Sequence, residues 1–414
     1  MTYSDDFRPS ERGLMMAVRT LLRELHEPGR PHVDPATAAA GLPDEPPEEG
    51  LGGEAALRAL SPVAFADVSR LDHPGFFAHM DPPTPWHAWA AALWAAATNQ
   101  NLLHPDTAPA ARALESRLLG WLAPKFGMDG GHFVPGATVA NITALWAARE
   151  LTGADQVVAS SAAHLSVEKA ARLLGMSYLE LPVDGEQRIR ADLLPDDLRR
   201  SILVLTAGTV GTGSVDDLTT GAGAAWRHID AAWAGALMLS SHSEVLDGLE
   251  LADSVGVSLH KWLFQPKGSA VVMFAEADRA HRALTFGGSY LAAPNVGILG
   301  SRGASVLPLA TSLLAWGTKG IGARIDSCMT AAASLADLIA ADPALVLWRR
   351  PLTGVVNWRP AEHDAMAVRS RLEDAWVSTA DIGGQRWFRS VAANPCADPA
   401  TVVRAVRDAM TSHQ

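Results

Sequence analysis

Between residues 86 and 285 the chain alternates helical stretches with short apolar runs, and this alternation limits the fold more than any other feature. The runs QVVAS (156–160), SILVLTAG (201–208), GALMLS (235–240) and GSAVVMF (268–274) are bounded by turn residues and read as buried strands. Helical stretches such as residues 167–174 lie between them. Strands alternating with helices predict an α/β domain on a mostly parallel sheet. Ligands of such sheets bind at the carboxyl ends of the strands, so the loops there are where chemistry is to be sought.

Outside this region the pattern changes. Residues 14–25 carry apolar residues at helical spacing, and a second helix is expected near residues 55–60, after the loop DEPPEEGLGGE. After residue 320 a helix (325–340) precedes two strand-like runs (354–358 and 387–392) and a final helix (399–410). The expected organisation is an N-terminal helical segment (1–85), a large α/β domain (86–320) and a small α+β C-terminal domain (321–414). The N-terminal segment has too little core to fold alone and must pack elsewhere.

A chain of 414 residues with 48% hydrophobic residues can bury a large core. Its net charge of −11, with no run of Lys or Arg, argues against nucleic acid as a partner. The N-terminus lacks the basic-then-apolar layout of a signal peptide, and WHAWAAALWAAATNQ from Trp86 is shorter than the about 20 residues that span a bilayer. A cytoplasmic protein without a membrane partner is expected. Cys328 and Cys396 read as reduced thiols, and no metal site is read.

Lys261 stands in SLHKW (258–262), at a turn between two buried strands. Lysines usually lie on the surface. A buried lysine beside other cations can instead keep a neutral amine that attacks an aldehyde to form a Schiff base. Asp230, in HIDAAWAG (228–235), would end a strand, and Ala232 leaves room for a flat ring. A turn or cap role is the commoner one for Asp, but a pyridoxal 5'-phosphate (PLP) site needs a carboxylate against its pyridine nitrogen. PGATVAN (135–141) opens a helix with small residues and a hydroxyl, which suits an anion or a plain N-cap. His164 follows a strand and precedes a helix, and the Gly/Thr-rich loop 206–216 closes the strand SILVL.

The order of these features is phosphate loop, ring-stacking His, Thr loop, Asp and then Lys. With HKW at 260–262 as its most specific motif, the chain resembles the group II pyridoxal-dependent amino acid decarboxylases. These include aromatic amino acid, glutamate and 2,4-diaminobutyrate decarboxylases. The segments 73–80 (HPGFFAHM), 107–115 (TAPAARALE), 300–302 (GSR) and 387–395 (WFRSVAANP) extend the resemblance to roughly residues 70–410.

The resemblance implies the fold-type I, aminotransferase-like architecture and a homodimer with active sites at the subunit interface. It implies PLP-dependent decarboxylation of an L-amino acid to its amine, by way of an external aldimine and a quinonoid. Lys261 would carry the cofactor and His260 would contact its phosphate, together with Gly136, Ala137, Thr138 and Ser258. Asp230 would pair with the pyridine nitrogen, Ala232 and His164 would flank the ring, and Thr206 would lie beside the ring oxygen or the lysine. Tyr290, on a mobile loop contributed across the dimer, would serve proton delivery to Cα. Relatives with phenylalanine there tend toward oxygen-dependent aldehyde formation.

Two departures from the family stand out. The loop between Tyr290 and residues 300–302 is short, and DAAW replaces the DAAY of aromatic-specific relatives. His79 and Leu103 fall where those relatives place aromatic side chains against the substrate. This favours a small aliphatic, acidic or diamino substrate over an aromatic one. An aldehyde-forming synthase, an aminotransferase and a non-enzymatic relative are the competing readings, and the HKW context argues against the aminotransferase.

Overall fold

The computed structural model describes residues 7–26 and 34–411. The first six residues of the stretch read for a signal peptide, and residues 412–414 of the expected C-terminal domain, lie outside the described residues. Contacts divide the chain into two units, Met1–Arg70 and Leu71–Gln414.

The first unit holds α1 (Glu11–His26), α2 (Pro35–Ala39) and α3 (Gly53–Ala64). Both helices expected there fall within α1 and α3. Asp34 caps α2 by accepting the Thr37 N–H at 2.8 Å. Arg12 of α1 pairs with Glu54 of α3 at 3.2 Å.

The second unit runs β1 (Phe76–Phe77), α4 (Trp86–Thr98), α5 (Pro109–Leu122), β2 (Gly130–Val134), α6 (Ala137–Thr152), β3 (Gln156–Ser160), α7 (Ser166–Leu173) and β4 (Ser177–Leu181). It continues with β5 (Ser201–Thr206), β6 (Trp226–Asp230), β7 (Ser254–Ser258), β8 (Ala270–Phe274), α8 (Ala277–Ala283), β9 (Thr285–Phe286) and β10 (Asn295–Val296). It ends with α9 (Leu307–Ala340), β11 (Leu345–Leu347), β12 (Val355–Pro360), α10 (Ala365–Arg369), β13 (Trp376–Ile382), β14 (Gln385–Val391) and α11 (Pro399–Thr411).

Seven strands form one sheet in the order β2-β8-β7-β6-β5-β3-β4. The pairs from β7 through β6, β5 and β3 to β4 are parallel, whereas β8 runs antiparallel to both β7 and β2. Alternate residues of β5 and β7 supply two cores. Leu203, Leu205, Val255 and Val257 join one cluster, and Ile202 and Val204 join the other with Ala140, Ala144 and Ala148 of α6.

The run GALMLS is not a strand. Ala234–Leu239 forms a short 3-10 turn, in which Gly235 N–H bonds the Ala231 carbonyl, and Leu237 packs into the main core. A short apolar run does not distinguish a strand from a buried turn of helix, and this one has no β-branched residue to favour extension.

The second sheet has the order β1-β13-β14-β12-β11. Within the stretch 1–85 read as helical, Phe76 and Phe77 form a strand parallel to β13. Ala332, Leu335 and Ile339 of α9, with Val402 and Val406 of α11, cover Val356, Trp358 and Phe388 of this sheet. The helix expected at 325–340 is the later part of α9, which breaks at Gly317 (φ 63°, ψ 176°). The boundary expected at 320/321 therefore lies inside α9, just past the break. Cys328 is buried, Cys396 is exposed, and the two are not bonded. No helix among the described residues is long and apolar enough to cross a membrane.

Candidate functional site

Three neighbouring strands of the large sheet end on polar residues. Thr206 closes β5, Asp230 closes β6 and Ser258 closes β7, and the register pairs Thr206 directly with Asp230. All three side chains are buried. The hydroxyl groups of Thr206 and Ser258 have no hydrogen-bond partner among the described residues. A buried hydroxyl without a partner costs about 1–3 kcal/mol, so two of them at the ligand edge of one sheet mark a place built for something else.

Lys261 follows Ser258 in the turn that leads from β7 back along β8. Burial lowers the pKa of its amine, and the nearby Arg389 charge pushes the same way, while Asp230 acts against both. The direction favours a neutral, nucleophilic amine.

Gly136 is the N-cap of α6, and its backbone (φ 155°, ψ 162°) is one that glycine alone adopts readily. Among the described residues no side chain caps this helix, which leaves its first N–H groups free for an anion. Ala137 and Thr138 form the opening of the helix, half-buried. A Cβ placed on Gly136 would stand 4.0 Å from Cε1 of His260, so the helix opening faces that ring. His260 Nδ1–H donates to the Ser269 carbonyl at 2.9 Å, which leaves Nε2 for another partner. Burial lowers the His260 pKa.

Asp230 is held from two sides. Its Oδ1 accepts the Ala232 N–H at 3.1 Å and its Oδ2 accepts Asn141 Nδ2 at 2.9 Å. Ala232, buried, adds only a methyl group beside it. Asn141 also donates to Ser166 Oγ at 2.9 Å, and Ser166 Oγ lies 2.7 Å from His164 Nδ1. The structure thus brings Lys261, Asp230, His164, His260, Thr206, Ser258, Ala232 and the opening of α6 to the α6 side of the sheet's carboxyl edge.

Other expected residues are not gathered there. Tyr290 sits on a turn between β9 and β10 and is 74% exposed. His79 is exposed between buried Ala78 and Met80, and Leu103 is half-buried with its N–H on Asn101 Oδ1 at 3.0 Å. Among the described residues, no hydrogen bond or ion pair joins these three side chains to the Lys261 group.

Sequence reasoning missed Asn141, Ser166, His228 and Arg389. His228 was legible, since it lies two residues before Asp230 on the same face of β6. Arg389 is buried, with Nε bonded to the Val210 carbonyl at 2.5 Å and Nη1 to Ser378 Oγ at 3.0 Å. Burial pulls its pKa down to about 10. Trp233, which stands in the place of a tyrosine, is buried against Trp262 and donates to Thr353 Oγ1 at 3.2 Å. Two segments singled out in the sequence meet: the Arg302 guanidinium grips both carboxylate oxygens of Glu115, with Nη2 to Oε2 at 2.6 Å.

A depressed-pKa amine, a carboxylate two hydrogen bonds deep, orphaned hydroxyls and an uncapped helix opening match a ligand with an aldehyde, a basic ring and a phosphate. The family model of the pyridoxal-dependent decarboxylase conserved domain matches residues 35–359. The chain is 30% identical to L-2,4-diaminobutyrate decarboxylase of Rhizobium meliloti, over 89% of this chain and 83% of that protein. It is 30% identical to the aromatic-L-amino-acid decarboxylase of Rattus norvegicus, over 57% of this chain and 58% of that one. The crystal structure of Oryza sativa TDC with PLP and tryptamine shares the fold, with a TM-score of 0.86 and 21% identity over 96% of this chain and 97% of that one.

Proposed function

The chain belongs to the pyridoxal-dependent decarboxylase family and is a PLP-dependent amino acid carboxy-lyase, and from that premise we propose that it releases carbon dioxide from a small aliphatic, acidic or diamino L-amino acid to give the amine, as a cytoplasmic homodimer. The observation that carries the reading is Lys261, half-buried in the turn after β7, with an amine that burial makes easier to deprotonate although Asp230 pulls the other way.

The residues present fit PLP. Thr206 and Ser258 offer buried hydroxyls with no other use, and the opening of α6 offers N–H groups with no cap. Lys261 would hold the cofactor. Gly136, Ala137, Thr138, Ser258 and His260 would hold its phosphate, Asp230 its pyridine nitrogen, and Ala232 and His164 the faces of its ring. Thr206 would lie beside the ring oxygen or the lysine. When bound, PLP supplies an electron sink for the bond broken at the substrate Cα. Asp230 would keep the ring nitrogen protonated, which strengthens that sink, and Asn141 and the Ala232 N–H hold the carboxylate in place.

Two observations support a polar substrate. Asp81 is ion-paired with Lys267, and its charge acts on Lys261, His260 and Arg389, so a carboxylate stands near the site where a second ammonium could be received. The relative from Rhizobium meliloti is named for a diamino acid. An aromatic substrate is the second reading, favoured by the rat relative. An aldehyde product is the other branch, favoured by the short loop between Tyr290 and residues 300–302. The exposure of Tyr290 in the single chain supports a role served across a dimer interface.

The test is product analysis of the PLP-loaded enzyme against the twenty L-amino acids and L-2,4-diaminobutyrate, following carbon dioxide, amine and peroxide together. Carbon dioxide matched by amine from a small or diamino acid is expected. Peroxide with aldehyde, or turnover confined to aromatic acids, would overturn the proposal. Lys261→Ala should lose the cofactor that borohydride fixes to the chain, and an unchanged adduct would remove Lys261 from its role.

A further inference from the structure

We infer that Asn141 is a positioning residue which, through Ser166, holds His164 as the neutral tautomer with its proton on Nε2. The inference deepens the reading above, since it rests on His164 lying against the cofactor. It is carried by one buried chain of hydrogen bonds whose polarity is fixed by the Asp230 carboxylate at one point and by the Ser166 N–H on His164 at another.

At one end Trp226 Nε1–H can only donate, and it does so to Ser254 Oγ at 2.8 Å. His228 Nδ1 lies 2.9 Å from the same Ser254 Oγ. His228 Nε2–H donates to Asn141 Oδ1 at 3.0 Å. At the other end the Asp230 carboxylate can only accept, so the amide nitrogen of Asn141 faces it. That end fixes the asparagine, so its Oδ1 accepts from His228 Nε2–H, and the reverse would set Oδ1 against a carboxylate.

The second amide hydrogen of Asn141 goes to Ser166 Oγ. The Ser166 N–H, which can only donate, points to His164 Nδ1 at 3.2 Å, so that nitrogen accepts and the Ser166 hydroxyl at 2.7 Å donates to it as well. Two donors meet at Nδ1, so the ring carries its proton on Nε2. Asn141, Ser166, His228 and Ser254 are all buried, and no solvent competes for these bonds.

The charged groups facing His164 are Asp230 from β6, Lys261 from the turn after β7 and Lys169 from α7. Asp230 alone favours the imidazolium. Asn141 occupies one oxygen of that carboxylate while it turns Ser166 against protonation of Nδ1. His164 therefore presents a hydrogen-bond donor at Nε2 and cannot take up a proton at Nδ1 without turning the Ser166 hydroxyl.

The test reads imidazole nitrogen shifts in cofactor-free protein labelled with 15N-histidine, with the His164 signals assigned by their loss in His164→Gln. The wild type should show a protonated Nε2 and an acceptor Nδ1, with a titration midpoint below the usual about 6.5. Asn141→Leu keeps the size but removes the amide that donates to Ser166, so the Ser166 hydroxyl is no longer oriented toward His164 and the His164 midpoint should rise. Ser166→Ala deletes one hydroxyl, and the His164 midpoint should rise by about one unit. Should Asn141→Leu fail to fold, Ser166→Ala carries the test. A wild-type proton on Nδ1, or a His164 signature unmoved by these substitutions, would overturn the inference. Because no cofactor is present, failure of the decarboxylase reading would leave these shifts unchanged.

Discussion

Trp233 and Trp262 stack with ring centroids 4.0 Å apart and planes 25° from parallel. One follows Asp230 by three residues and the other follows Lys261 directly, so the stack ties together the chain segments after β6 and β7 that hold these two residues. Trp262 Nε1–H also reaches the Ala392 carbonyl at 3.1 Å, and Trp233 Nε1–H reaches Thr353. Gly354 has no side chain because a Cβ there would collide with the Trp262 ring.

Trp262→Ala should therefore destabilise the protein by about 3–5 kcal/mol, the usual cost of emptying a buried aromatic site. Urea denaturation of the cofactor-free protein measures it. A loss under about 1 kcal/mol would mean that the stack is not a structural tie.

Thr206→Val should have opposite effects with and without the cofactor. The threonine hydroxyl is buried and unpartnered, so its removal should leave the cofactor-free protein as stable as before or up to about 1 kcal/mol more stable. The stabilisation that PLP confers should shrink. Melting curves with and without PLP decide it; equal loss in both would place the hydroxyl in the fold and not in the site.

Asp216 makes the pH dependence of stability testable. Burial raises its pKa to about 6, although it accepts N–H groups from Ile189 and Thr206 at 2.7 Å each. The folded protein holds this proton more tightly than the unfolded chain, so Asp216 favours folding at low pH and that contribution is lost as pH rises through about 6. His228, whose pKa burial lowers to about 4, acts in the opposite sense and costs stability as pH falls below the usual histidine range. Asp216→Asn should leave the His228 effect unopposed. Its stability should fall more steeply than the wild type between about pH 6 and 4, and parallel profiles would reject the assignment.

Tyr290→Phe should divert product from amine to aldehyde if the exposed tyrosine serves proton delivery across an interface. Peroxide measured beside amine reports the split. An unaltered amine yield would remove Tyr290 from the reaction.

Much of this arrangement was legible before any coordinates. The runs that became β3, β5 and β8 are apolar and bounded by turn residues, so their period and length alone place Thr206 at a strand end and Lys261 in a turn before a strand. β2 was not legible, because Gly130, Gly131 and His132 have little strand preference and pair only where β8 lies beside them. GALMLS misled because apolarity reports burial and not backbone geometry. Asn141 and Ser166 were missed for a related reason. A polar residue on a helix reads as solvent-facing, and only the neighbours brought by β6 and β7 show that it is buried and satisfied.

The pairing of β2 with β8 also bears on how the protein is made. β2 has no partner in the large sheet except β8, which ends at Phe274, and β2 leads directly into the opening of α6. During synthesis, at roughly 5–20 residues per second, the segment around Gly136 must wait several seconds for its sheet partner to leave the ribosome. The strands from β3 onward can pair with later neighbours as they emerge, while the edge that carries β2 closes last. The nascent chain thus exposes an unpaired strand next to its most ligand-ready loop, and this is the stretch that a chaperone, or an early encounter with the cofactor, has most reason to guard.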